Sequence, residues 1–148
     1  EVIKGKDNTQ RNKLKNIRQT KDFTFNIVSE SFSQQMVDCS TDLDSNINEF
    51  EISGLHTSQS QRIQPPRLKE SKISYECILN QIVEIGDGKA GSGFIVIGSI
   101  VLFHISDDVI SNEKIDIQKL APIGRLAGDW YTRPTDNFKI IRKIKPDK

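Results

Sequence analysis

Two long apolar segments joined by a glycine-rich stretch constrain the fold of this chain more than any other feature. Over residues 73–85, apolar side chains occupy every second position except Gln81, while Ser74 and Glu76 are among the polar residues between them. This period of two predicts a long strand with one dry face and one polar face. Residues 94–105 are almost continuously apolar, which predicts a second strand that is covered on both faces.

The connection between these two strands contains the sequence Gly-x-Gly-x-x-Gly from Gly86 to Gly91, which matches the dinucleotide-binding pattern. A phosphate-binding loop of that kind leads from a strand into a helix, whose N-terminus faces the phosphates. Residues 94–97 instead read as strand. We therefore interpret residues 86–93 as a hairpin connection between two antiparallel strands.

Shorter elements precede this hairpin. The apolar spacing over residues 12–20 predicts a helix, with Asn12 as its N-cap. Phe23 and Phe25 alternate with polar residues, which predicts a half-buried strand. Ser31 is placed to cap a second, short helix. Polar residues over 38–46 predict a loop, and one more helical turn is predicted to end at Gly54.

The whole pattern predicts a mainly β domain with short helices, of the α+β class, built on an antiparallel sheet or barrel. Pro65 and Pro66 exclude a central strand from the long connection over residues 56–71. Residues 138–144 are predicted to form a last strand. The strand over residues 94–105 needs a neighbour on each side, and the chain supplies few. We therefore expect an incomplete barrel.

Length and composition limit the class of protein. The chain has 148 residues, enough for one domain over 1–148, and a formal net charge of +1. Its two cysteines, Cys39 and Cys77, form no Cys-x-x-Cys pair, which argues against a disulfide scaffold or a zinc site. Reduced thiols are typical of a cytoplasmic protein. No segment approaches the roughly 20 apolar residues of a membrane span.

Basic residues gather at the start of the chain, where residues 1–21 include seven lysines and arginines. Arg11, Asn12 and Lys13 stand at the predicted helix start, where free backbone N–H groups and the helix dipole favour an anion. This group is either a phosphate site or an ordinary basic helix start. Nucleic-acid binding is disfavoured, because exposed aromatic residues are not interleaved with the basic ones.

A second candidate site is the loop over residues 124–131, which combines Gly124, Arg125, two aromatic residues and another glycine. Glycines let the backbone approach a ligand closely, and Tyr131 offers a ring that can stack on a planar group. The alternative is a tight loop that anchors Trp130 in the core. Neither of the two histidines lies in a metal-ligand or triad spacing, so both are interpreted as hydrogen-bonded or surface residues.

The order of these segments resembles that of the flavin reductase-like proteins. The resemblance runs from Arg11 to Tyr131. It rests on a helix-then-strand segment, a proline-rich middle, the start of the first long strand, and a closing section. In sequence these are residues 13–26, Glu49-Phe50 with Gly54-Leu55, residues 65–71, Tyr75-Glu76-Cys77, Gly98 with Phe103-His104-Ile105, and residues 122–128 with Tyr131.

This resemblance implies a partial, antiparallel split β-barrel that binds FMN non-covalently, without its first strands, as a homodimer with flavin near the subunit interface. It implies hydride transfer from NAD(P)H to flavin and a flavin-dependent monooxygenase as partner. Arg11 and Lys13 would meet the flavin phosphate, with Asn12 as cap, and Gly124, Arg125 and Tyr131 would lie near the flavin or nicotinamide. The flavin supplies the redox chemistry, and the alternative is a flavin-binding or interaction module without turnover.

Overall fold

The computed structural model describes residues 2–4, 8–39, 50, 53–87, 92–134 and 136–141, with only the backbone of residues 2–4 and 8–12. The strands and helices follow one another in the order β1 Val2–Lys4, α1 Asn8–Thr20, β2 Asp22–Asn26, α2 Ser33–Asp38, β3 Thr57–Ser58, β4 Arg67–Leu68, β5 Ile73–Ile85, β6 Gly93–Ile105, β7 Ile110–Ser111, β8 Lys114–Ile115, α3 Ile117–Leu120, β9 Gly124–Arg125 and β10 Tyr131–Thr132. The predicted loop over residues 38–46 is wrong at Asp38, which is the last residue of α2. Residues 40–46 and most of the following helical turn lie outside the described residues.

The main sheet is antiparallel and has the strand order β1-β6-β5-β2. The long pair β5–β6 runs in register from Ile73 opposite Ile105 to Ile85 opposite Gly93. The two predicted strands are therefore confirmed as an antiparallel pair, while residues 88–91 of their predicted connection lie outside the described residues. Two irregularities interrupt the pairing, one after Glu76 and one after Leu79. Such bulges change which face a side chain takes, so strict alternation does not continue along the whole strand.

Helix α1 covers the half of the sheet nearest the β5–β6 connection. Leu14 and Val96 are buried together and form the centre of an apolar cluster. The other members of that cluster are Ile17, Phe23, Leu79, Ile82 and Phe94. The helix begins at Asn8, four residues before the predicted start. The prediction that Asn12 is the N-cap is therefore wrong. Asn is a frequent N-cap residue, but the packing of later residues decides how far the first turns of a helix extend.

A second apolar cluster lies at the opposite end of the sheet. Val109 is completely buried there against Ile73 and Leu120, and Ile27 and Tyr75 pack around them. The backbone N–H of Ile27 donates to the carbonyl of Ile73 at 2.9 Å, which extends the β2–β5 pairing into this end. This cluster fixes the short β7–β8 hairpin and α3 beneath the closing section of the chain.

The predicted polar face of β5 is not a solvent face where the strand begins. Ser74 and Glu76 have no exposed surface, because the connection preceding β4 lies over them. Conversely, Ile97, Ile100 and Phe103 on β6 are exposed in the chain. The prediction that both faces of β6 are covered is therefore wrong for the single chain.

Two smaller predictions also fail. Ser31 lies inside a 3-10 turn, Glu30–Phe32, rather than at a helix N-cap; the buried Phe32 is the anchor of that turn. Residues 138–141 form no strand, and residues 142–144 lie outside the described residues. Within the described residues, the structure has no helix of the length and apolarity that crossing a membrane requires.

Candidate functional site

An open cleft of about 480 Å³ lies between α2 and the β9–β10 hairpin. Ser33 and Gln34 line it from α2. Arg125, Gly128 and Tyr131 line it from the hairpin. The cleft thus combines a cation, an aromatic ring and a glycine. Two of the predicted site residues, Arg125 and Tyr131, are close to one another here, whereas Gly124 is not among the residues that line the cleft.

The hairpin places these groups by its register. Tyr131 pairs directly with Arg125, so both side chains leave the same face. The turn between the two strands closes through the N–H of Leu126, which donates to the carbonyl of Trp130 at 2.9 Å. Gly128 has φ of +61° in this turn, a left-handed conformation that favours glycine. Gly128 and Asp129 therefore form the turn of the hairpin and also line the cleft.

Backbone hydrogen bonds join the segment before β9 to the residues that precede α2. The N–H of Ile123 donates to the carbonyl of Val28 at 3.1 Å, and the N–H of Glu30 donates to the carbonyl of Ala121 at 2.9 Å. Glu30 also forms an ion pair with Arg133 at the edge of the cleft. The hydrogen bond from Arg133 lowers the pKa of the Glu30 carboxyl. Arg125, by contrast, has no ion-pair partner among the described residues.

Trp130 stands at the tip of the hairpin with 75% of its surface exposed. The interpretation of this loop as an anchor for Trp130 in the core is therefore wrong. Strand alternation sends the tryptophan to the face opposite Tyr131. Tyr131 itself is half-buried in the cleft.

The other predicted site residues lie on α1. The backbone of Arg11 and Asn12 is helical, and Lys13 is exposed. Because the helix begins at Asn8, the free backbone N–H groups belong to residues 8–10 and not to residues 11–13. An anion at this helix end would therefore lie further toward the N-terminus than the sequence predicts.

The two groups of predicted site residues lie toward opposite ends of the sheet. Helix α1 packs on Val96, whereas the β9–β10 hairpin adjoins the end marked by Ile73 and Ile105. The ten residues of β6 from Val96 to Ile105 span about 30 Å, at roughly 3.3 Å for each of the nine steps between them. One chain therefore does not bring Lys13 and Arg125 together.

A further constellation was not predicted from the sequence. The fully buried carboxylate of Glu76 accepts the backbone N–H groups of Gln61 at 2.8 Å and Arg62 at 2.7 Å. Nε2 of His104 lies 2.6 Å from the same carboxylate, and Nε of Arg67 lies 4.0 Å away. The sequence signal was a Glu and a His within otherwise apolar strands.

Burial acts to raise the pKa of Glu76, but the N–H of Gln61, the His104 ring and the N–H of Arg62 together outweigh it and lower that pKa. Glu76 is therefore ionised at neutral pH. The other histidine, His56, likewise contacts a carboxylate, with Nδ1 2.8 Å from Glu70. The interpretation of both histidines as hydrogen-bonded residues is confirmed.

Comparison with known proteins identifies the family. Residues 8–120 match the flavin reductase like domain. An uncharacterized protein of Aquifex aeolicus (strain VF5) is 33% identical over 135 residues, which are 90% of this chain and 66% of that protein. The chain therefore spans slightly less than two thirds of the length of this relative.

Solved structures give the same result. Nitrilotriacetate monooxygenase component B from Bacillus cereus superposes with a TM-score of 0.85 at 26% identity, over 94% of this chain and 69% of that one. A Shewanella frigidimarina NCIMB 400 protein with the split barrel domain of flavin reductases gives a TM-score of 0.80 at 26% identity, over 96% and 69%. The predicted split-barrel fold is confirmed, and the chain belongs to the flavin reductase like domain family.

Proposed function

We propose that this chain is the flavin-binding part of an FMN-dependent oxidoreductase of the flavin reductase type, which passes hydride from NAD(P)H to the flavin. The observation that carries the proposal is the match to the flavin reductase like domain over residues 8–120. The superposition on a monooxygenase component over 94% of the chain supports it.

The cleft beside the β9–β10 hairpin fits one end of such a cofactor. Its volume of about 480 Å³ lies in the range of small-molecule sites. Arg125 has no ion-pair partner among the described residues and can bind a phosphate or the electron-rich edge of a flavin. Tyr131 offers a ring for stacking, and Gly128 lets the backbone approach. FMN supplies the redox chemistry, and these residues bind and orient it.

Two copies of the chain are needed to complete this site. Lys13 and Arg125 lie toward opposite ends of the sheet, so in this proposal they contact the same flavin from different subunits. In a homodimer, the α1 end of one subunit can face the hairpin of its partner. Exposed apolar residues on β6, among them Ile97, Ile100 and Phe103, supply surface for such contact. In this proposal Arg11 and Lys13 meet the flavin phosphate from one subunit, and Gly124, Arg125 and Tyr131 approach the ring system from the other.

The same comparison supports a proposal for the acceptor of the electrons. The Bacillus cereus protein is a component of a monooxygenase. We propose that reduced flavin passes from this protein to a flavin-dependent monooxygenase. The alternative is a module that holds flavin without turnover, and steady-state oxidation of NADH or NADPH in the presence of free FMN distinguishes the two.

The test is a titration of the purified protein with FMN. Trp130 is the only tryptophan of the chain and stands on the hairpin that lines the cleft, so its fluorescence reports binding. We expect saturable quenching, and flavin absorbance that stays with the protein after gel filtration. Loss of the Arg125 contact in Arg125→Ala should weaken binding about tenfold.

Lys114→Ala is the matched control, because Lys114 is an exposed cation on β8 that does not line the cleft. Its affinity for FMN should equal that of the parent protein. Protein that stays colourless after addition of FMN, with no quenching, would refute flavin binding. Flavin binding without oxidation of NAD(P)H would instead favour the module without turnover.

A further inference from the structure

A second cleft of about 480 Å³ has no role in the proposed flavin site. It opens between residues 67–72 and the end of β6, where His104 leads into residues 105–108. Three cationic side chains line it, namely Arg67, Lys69 and Lys72. They are brought together because β4 and the start of β5 run past the end of β6.

The acidic side chains of this cleft are already engaged. Glu70 accepts the backbone N–H of His56 at 3.1 Å and lies 2.8 Å from its Nδ1. Asp108 accepts a hydrogen bond from Nζ of Lys72 at 2.8 Å. Three cations against two carboxylates leave one positive charge in the lining. Lys69 is exposed and has no ion-pair partner among the described residues.

The inner wall of the cleft consists of Arg67 and His104, which lie against a buried carboxylate. Arg67 and His104 each expose only 16% of their side chains. The buried carboxylate of Glu76 lies behind both of them and fixes the His104 ring through Nε2. Nε of Arg67 is buried without a hydrogen-bond partner among the described residues and lies 4.0 Å from the Glu76 carboxylate. Nη2 of Arg67 donates to the carbonyl of Gln59 at 3.2 Å, so Arg67 contributes mainly its positive charge to the cleft.

We propose that this cleft binds the phosphate group of a small ligand, either a nucleotide or free phosphate. Arg67 contributes positive charge to the wall of the cleft, and Lys69 adds a mobile point charge that can contact phosphate oxygens. Glu76 does not oppose the anion directly, because its carboxylate is fully buried, accepts the N–H groups of Gln61 and Arg62 and contacts the His104 ring. The volume of the cleft also accommodates the base and sugar of a nucleotide. This proposal does not rest on the proposed flavin chemistry.

The test follows the ring protons of the two histidines by NMR in flavin-free protein. The chain contains only His56 and His104, and His56→Asn assigns the two signals. Inorganic phosphate, AMP and adenosine are added in separate titrations. We expect the His104 signal to shift and saturate with AMP, with inorganic phosphate or with both, and not with adenosine. Saturation with AMP alone identifies a nucleotide, whereas saturation with inorganic phosphate shows that the phosphate group suffices.

Lys69→Ala should weaken this binding at least about fivefold, as expected for the loss of one charged contact. Lys69 is exposed, so the variant keeps the fold. Lys114→Ala again removes an exposed lysine elsewhere and should bind like the parent protein. No saturable shift with either phosphate-bearing ligand, or equal affinity in the Lys69→Ala and Lys114→Ala proteins, would overturn the proposal.

Discussion

Glu76 and His104 meet at 2.6 Å across the two central strands, joining a fully buried carboxylate to Nε2 of an imidazole. His104 lies directly opposite Ser74, which is two positions before Glu76 on the same strand. Glu76 and His104 are therefore diagonal neighbours on one face of the sheet. The same carboxylate accepts the backbone N–H groups of Gln61 and Arg62. It therefore fastens the connection before β4 to the sheet.

Replacement of Glu76 by Gln should destabilise the protein. The amide oxygen can accept only some of the hydrogen bonds that the carboxylate accepts. The NH₂ group of the amide would face a backbone N–H, which is also a donor. We expect the free energy of unfolding to fall by about 2–4 kcal/mol, measured by urea denaturation. Glu84→Gln, an exposed position on the same strand, should change it by less than about 0.5 kcal/mol. Equal stability of the two variants would contradict this view of Glu76.

The stabilisation by Glu76 should also depend on pH. Its pKa in the folded protein lies below the ordinary value of 4.5, because the Gln61 N–H, the His104 ring and the Arg62 N–H outweigh the effect of burial. A carboxyl whose pKa is depressed by folding stabilises the protein fully above its unfolded pKa, and the stabilisation is lost as pH falls through the folded pKa.

Unfolding free energies of the parent and Glu76→Gln proteins should therefore differ by a constant amount between about pH 6 and about pH 7 and converge below about pH 4.5. The comparison isolates Glu76 from Glu30, Glu70, Asp108 and Asp116, whose pKa values are also lowered. A gap that stayed unchanged down to about pH 3 would show that ionisation of Glu76 contributes nothing.

Gly98 is required by the close approach of Phe23. A Cβ at position 98 would lie 2.7 Å from Cζ of Phe23 and 3.0 Å from the carbonyl oxygen of Ile78. Gly98→Ala should cost about 1–3 kcal/mol of unfolding free energy. In the double variant with Phe23→Leu, the cost should be less than the sum of the two single costs. Additive costs in this cycle would mean that the Phe23 ring is not the obstacle.

Asp116 caps the short helix α3. Its carboxylate accepts the N–H groups of Gln118 at 3.0 Å and Lys119 at 3.3 Å. Asp116→Ala should therefore lower the unfolding free energy by about 1 kcal/mol, a fall of about 2–4 °C in Tm. Asp116→Asn keeps an oxygen acceptor and should lose less than half of that. A similar loss in both variants would assign the effect to the charge rather than to the cap.

The regular part of the fold was predictable because it depends on local patterns. Alternation of apolar residues predicted β5 and β2, a continuous apolar run predicted β6, and the strand following the glycine-rich stretch identified the hairpin. The start of α1 was not predictable, since the helix extends beyond the residues that pack. The face taken by Glu76 was not predictable either, because a segment that precedes it in the chain covers it and the bulge after it changes the alternation.

The candidate site was predictable only in part. Glycines and aromatic residues indicated the loop that lines the first cleft, and the structure brings Arg125, Gly128 and Tyr131 together there. Sequence order alone could not show that Lys13 lies toward the other end of the sheet. The cationic cleft was missed because its lysines and Arg67 follow a proline-rich connection without secondary-structure periodicity, and only the pairing of β5 with β6 places His104 beside them.

The pairing partners of the sheet also set the order in which the chain can fold. The two central strands are neighbours in sequence, whereas Asp22 pairs with Ile78 and Val2 pairs with Ile95. Closing these longer loops costs more chain entropy before any contact is gained. The central hairpin should therefore form early, and both outer strands should be recruited late, leaving its two edges open to other chains while the protein is being made.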